Sequence, residues 1–126
     1  MPKVSLAFFT VAPIYVLIGM CWGVYMGIAG DHVMAPAHAH LNLLGFVQMS
    51  IFGTFYTLAK GQYSEKLAWA NFWLSNFAVV WMIPILVIIL GGNTKIAPII
   101  SPGELAAIAG MLIFLWNVLK VRKGLG

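Results

Sequence analysis

All three histidines of the chain, His32, His38 and His40, fall in one short segment, Asp31-His32-Val33-Met34-Ala35-Pro36-Ala37-His38-Ala39-His40-Leu41-Asn42-Leu43-Leu44-Gly45. Imidazole is the commonest protein ligand for metals and changes its charge near neutral pH, so a cluster of this kind points to metal or haem ligation or to proton handling. Pro36 is suited to the first position of a helix, where its missing N–H costs nothing. His40 then sits about one turn inside that helix, where the positive end of the helix dipole disfavours imidazolium and leaves a neutral nitrogen free for a metal. That setting suits a haem iron or a copper ion. His38 and His40 are two residues apart, so on a regular helix they point about 200° away from each other. They cannot ligate one ion together, but they can serve two sites on opposite flanks. A zinc enzyme of the HExxH kind needs histidines four apart, and no such pair occurs. His32, taken alone, reads as an interfacial histidine bonding to headgroups or carbonyls.

The elements that must carry this segment follow from composition. Of the 126 residues, 62% are hydrophobic and 8% are charged, against about 25% charged in soluble domains. So few charges cannot cover the surface of a soluble fold. Four apolar stretches, residues 5–30, 36–59, 67–90 and 102–121, each reach the ~20 residues that cross a hydrocarbon core as a helix. The expected architecture is an all-α integral membrane protein, a single four-helix domain over residues 1–126. The first stretch is apolar for longer than a signal-peptide core, so it reads as a retained helix. Cys21 is the single cysteine, and no disulfide framework exists. Of the basic residues, Lys3, Lys60, Lys66, Lys120, Arg122 and Lys123 fall at the N-terminus, the second connection and the C-terminus, and only Lys95 lies on the other side. Positive charge collects in the cytoplasm, which places both termini there, in the inner membrane, and turns the histidines outward. Basic residues so few, all flanking membrane spans, exclude a nucleic-acid partner. The lipid bilayer is the partner they fit.

The first span carries Gly19, Gly23 and Gly27 on one face, four residues apart. Helix–helix packing is the first reading of this stripe, and a groove for a flat cofactor is the second. Pro13 is expected to bend the span. The second span is the most polar, with His38, His40, Asn42, Gln48, Ser50 and Thr54. The third span has Asn71, Ser75 and Asn76, and its asparagines read as interhelical hydrogen bonds. Ser101-Pro102-Gly103-Glu104 has the pattern of a capping box, making Glu104 a cap rather than a proton carrier. Ala106 and Gly110 form a second small-residue pair. Tyr63, Trp69 and Trp116 are expected to anchor the cytoplasmic interface.

The run His40-Leu41-Asn42-Leu43-Leu44, continuing through Gly45-Phe46 to Gly53 and Tyr56, resembles the second helix of nitric oxide reductases, in the catalytic subunit I of the heme-copper oxidase superfamily. The likeness covers residues 31–58. In that family a His-x-Asn-Leu-Leu segment supplies an axial ligand to the low-spin haem b, toward the outer face of its helix. His38-Ala39-His40 is similar to the His-x-His of a later subunit I helix, whose imidazoles ligate two different haems. Subunit I is built as three four-helix arcs related by approximate threefold symmetry. The resemblance therefore implies that this chain is one arc and that a homotrimer restores the twelve helices. His40 would ligate one interfacial haem b and His38 the next, while Asn42 and Gln48 bond haem edges. The full enzymes need further histidines for a second haem and copper, and a proton route. Three histidines without a mid-membrane acid do not make a complete oxidase. The expected function is a membrane haem b protein for electron transfer or haem binding. One alternative is a gas- or redox-linked enzyme with an open iron site and copper on His32 or His38. Another is a cofactor-free structural or assembly subunit.

Overall fold

The computed structural model describes residues 1–125. Helix α1 spans Lys3–Ala29 and α2 spans Ala35–Leu58. Helix α3 spans Glu65–Leu90, and a 3-10 segment, Thr94–Ile100, leads into α4, Ser101–Leu125. These are four helical spans long and apolar enough to cross a membrane, as composition requires. Among the described residues there is no strand. Large apolar side chains such as Leu17, Ile28, Trp73 and Leu105 stand exposed on the outside of the bundle, an outer surface that lipid covers and water does not.

The helix ends follow from local chemistry. Gly30, at φ 65°, takes the left-handed conformation that closes α1. Helix α3 begins at Glu65, before the expected start, because Ser64 is extended and its hydroxyl accepts from Leu67 N–H at 3.5 Å. Helix α1 runs unbroken through Pro13. The expected capping box at Ser101 does not form as one. Ser101 is already helical, at φ −54° and ψ −37°, and its N–H bonds Pro98 O, so the 3-10 segment and not an extended N-cap residue starts the helix. Glu104 is exposed in the first turn of α4.

Helix α1 packs along α2, α3 packs along α4, and α1 also meets α3. Small residues set both close approaches. A Cβ at Gly53 would lie 3.1 Å from Phe8 Cβ, and one at Gly45 would lie 2.8 Å from Tyr15 Cβ. A Cβ at Gly103 would lie 2.5 Å from Met82 Cγ, and one at Gly110 would lie 3.1 Å from Ser75 Oγ. In lipid, helices associate through such packing and through hydrogen bonds, because hydrocarbon gives no hydrophobic drive between them. The core is aromatic. Phe8 meets Phe52, Phe72 and Tyr56 at ring distances of 5.6, 5.1 and 5.9 Å. Tyr63 is buried and packs on Tyr56 at 4.8 Å, so it belongs to this core and is not an interface anchor.

Polar side chains inside the bundle find each other. Asn71 Nδ2 donates to Tyr56 Oη at 3.1 Å, and Asn117 Nδ2 donates to it at 3.3 Å. Ser75 Oγ donates to Asn71 Oδ1, and Ser64 N–H donates to Asn117 Oδ1, both at 3.1 Å. This network joins α2, α3 and α4 around three side chains that are fully buried, Tyr56, Asn71 and Asn117. A second bond, from Tyr15 Oη to Asn76 Oδ1 at 2.8 Å, joins α1 to α3. Tyr56→Phe strands two amide donors at once. Its cost in equilibrium unfolding in mixed micelles is expected to be about 1–2 kcal/mol. Tyr25→Phe, on an exposed side chain, is expected to leave stability unchanged.

Candidate functional site

The histidine segment is shaped by the connection before α2. Asp31 Oδ1 accepts from Val33 N–H at 3.0 Å, and the carbonyl of His32 accepts from Ala35 N–H at 3.0 Å. These bonds turn the chain into α2, with Pro36 in its first turn. His32 lies in this connection and is exposed.

His40 closes the first α-helical stretch of α2 and is exposed. Its Nδ1 lies 2.7 Å from the carbonyl oxygen of Pro36, one turn back. A carbonyl only accepts, so Nδ1 carries a proton, and in the uncharged ring the lone pair is on Nε2. An imidazole anchored at Nδ1 by a backbone carbonyl and free at Nε2 has the orientation that metal- and haem-binding histidines take.

His38 is held differently. Its ring is half-buried against α1, where Cε1 lies 3.0 Å from the position a Cβ at Gly23 would take, and Trp22 meets it edge-on at 6.4 Å. Its Nε2 faces Asn42 Nδ2 at 3.4 Å. An amide nitrogen only donates, so Nε2 accepts and Nδ1 carries the proton. That Nδ1 and Asn42 Oδ1 are both buried with no hydrogen-bond partner among the described residues. An unpaired buried polar atom costs about 1–3 kcal/mol, so two of them within one turn is an unusual concentration. The two histidines thus diverge, His38 toward α1 and His40 outward.

The turn that follows departs from the regular helix assumed from the sequence. Residues Leu41–Val47 are π-helical, and Gln48 N–H bonds Leu43 O. Entry to this stretch is marked at Leu41, whose N–H is shared between Ala37 O and His38 O. Widened turns of this kind are rare and recur at functional sites. The stretch carries Asn42 near its start, and half-buried Gln48 follows its end.

The glycine stripe of α1 divides. A Cβ at Gly19 would collide with Asn42 Oδ1, and one at Gly23 would press on His38. These two glycines are the seats of α2 side chains. Gly27 is exposed, and a Cβ there would have no atom of the described residues beyond its own helix within 4 Å. Sequence reasoning missed the contribution of Trp22 and of the Pro36 carbonyl. The second had a signal, since a residue four positions after Pro36 places its side chain back over that carbonyl.

No family model, curated protein or solved structure matches the chain.

Gly19→Ala is expected to push Asn42 off α1 and to destabilise the protein by about 1–3 kcal/mol. Gly27→Ala is expected to be neutral or slightly stabilising, because it meets open space and improves helix propensity. The double variant Gly19→Ala, Asn42→Ala should recover most of the loss. Thermal unfolding midpoints in detergent compare all three.

Proposed function

We propose that this chain is a membrane haem b-binding protein that carries electrons or holds haem, with histidine ligation at interfaces between copies. The observation that carries the reading is His40. Its proton is committed to Pro36 O and its Nε2 lone pair lies on an exposed ring, in a segment that resembles the haem-ligating second helix of nitric oxide reductases. A ligand exposed on the flank of one protomer is completed by something outside that protomer, and a second copy of the same chain provides it. The residues present fit an axial ligand role for His40: the ring is held through Nδ1 on Pro36 O and is exposed, which leaves Nε2 for a ligand. When bound, haem supplies one-electron redox chemistry at iron, and two imidazole ligands leave no position for oxygen or nitric oxide.

The part of His38 rests on the His-x-His likeness. In this reading His38 gives up its bond from Asn42 and turns Nε2 to the haem on the other flank of α2, so that three copies, twelve helices in all, close a ring with haem at each junction. Gln48 is available to a haem edge, and so is the Asn42 amide once His38 turns to the iron. Gly27 is the one glycine of the stripe with open space over it. The charge distribution supports placement in the cytoplasmic membrane with both termini inside and the histidines toward the outer face.

A second reading, a cofactor-free packing or assembly subunit, is favoured by one observation. Gly19 and Gly23 are already filled by Asn42 and His38, which is what helix packing alone requires.

The two readings separate on His40→Ala. Haem content per protomer, measured by pyridine haemochrome on purified protein, is expected to fall by about tenfold or more in this variant, while stability in detergent is unchanged because His40 is exposed. Equal haem content in the variant and the parent removes His40 as a ligand. Absence of haem from both, with the fold intact, supports the packing subunit.

A further inference from the structure

The end of the bundle away from the histidines carries a second feature. Six basic residues collect there, Lys3, Lys60, Lys66, Lys120, Arg122 and Lys123. The last three line a groove of about 640 Å³ together with Ser64, Leu67 and Trp116. That volume lies within the roughly 300–1,000 Å³ of small-ligand sites. We infer that this groove binds the phosphate headgroup of an anionic phospholipid, with the Lys120, Arg122 and Lys123 cations on the phosphate and the apolar wall on the upper acyl chains.

Three observations carry the inference. The lining is divided in chemistry. Three cations and three apolar side chains, Leu67, Trp116 and Leu119, share it with Ser64, and none of the lining residues is acidic. A free phosphate would use only the first half, whereas a phospholipid uses both. The groove is also built on fixed structure. Asn117, next to Trp116, is fully buried and accepts from Ser64 N–H at 3.1 Å, while Ser64 Oγ caps α3. The α2–α3 connection and α4 are thereby joined within the groove's own lining, at Ser64. Finally, Trp116 is 62% exposed, and an exposed tryptophan beside lysine and arginine at a span end is the composition of the headgroup region. Clusters of this sign at the cytoplasmic ends of helices meet the leaflet that holds the anionic lipids. The groove makes no use of the histidines, so this inference stands apart from the haem reading.

Native mass spectrometry of the full chain, purified and delipidated in detergent, tests it with phosphatidylglycerol, phosphatidylcholine and inorganic phosphate as probes. Phosphatidylglycerol is expected to bind on the order of tenfold more tightly than phosphatidylcholine. The triple variant Lys120→Gln, Arg122→Gln, Lys123→Gln should lose that preference. The triple variant Lys3→Gln, Lys60→Gln, Lys66→Gln removes the same charge from the same end and should keep it. Leu67→Trp fills the groove with the cations in place and should weaken phosphatidylglycerol alone. Equal loss in both triple variants means diffuse surface charge and overturns the site. Displacement of the lipid by millimolar inorganic phosphate overturns the lipid as occupant, and full binding in Leu67→Trp overturns the groove as its location.

Discussion

Hydrocarbon offers no hydrogen-bond partner, so every polar group in this bundle is either matched inside the protein or left at a cost. That constraint organises the fold. The backbone is consumed in helices, and the polar side chains of three spans converge on one phenol. Tyr56 receives the amides of Asn71 and Asn117, and the bonds from Ser75 and Ser64 hold those amides in register. With Tyr15 on Asn76 as the second crossing, the helices are fixed relative to one another by a few directional contacts. The close approaches at Gly45, Gly53, Gly103 and Gly110 make those contacts reachable.

Against that background, two of the three buried side-chain atoms left without a partner among the described residues lie at the histidine end, the third being Ser5 Oγ. Among the described residues His38 Nδ1 and Asn42 Oδ1 are buried without partners, the helix widens into a π-helical stretch immediately after His40, and the His40 ring, held through Nδ1, is exposed. The network around Tyr56 is satisfied, whereas the histidine end combines unpaired polar groups with an exposed imidazole. This contrast supports the proposed site at the flank of the bundle, where a second copy would close it.

Much of this was legible in the sequence. So low a charge content leaves lipid as the only solvent, and the spacing of apolar residues yields four spans whose ends move by a few residues in the structure. The asparagines of α3 read as interhelical bonds, and Asn71 and Asn76 make them. What was not legible depends on contacts distant in sequence. Tyr63 has the composition of an interface anchor, yet Tyr56 draws it inside. Ser101 has the capping-box pattern, yet the preceding 3-10 segment has already turned the chain into the helix. The π-helical stretch leaves no periodicity that a short apolar run can display. The glycine stripe illustrates the limit most directly, since three identical residues at identical spacing turn out to meet Asn42, His38 and empty space.

The central claim is that His40 holds its Nε2 for an iron that it shares with another histidine. The most direct measurement is the absorption spectrum of the purified, detergent-solubilised protein, oxidised and then reduced. A sharp Soret band with split α and β bands on reduction, unchanged by carbon monoxide, is the predicted result. A colourless protein that takes up no added haem, or a reduced spectrum that shifts with carbon monoxide, would contradict it.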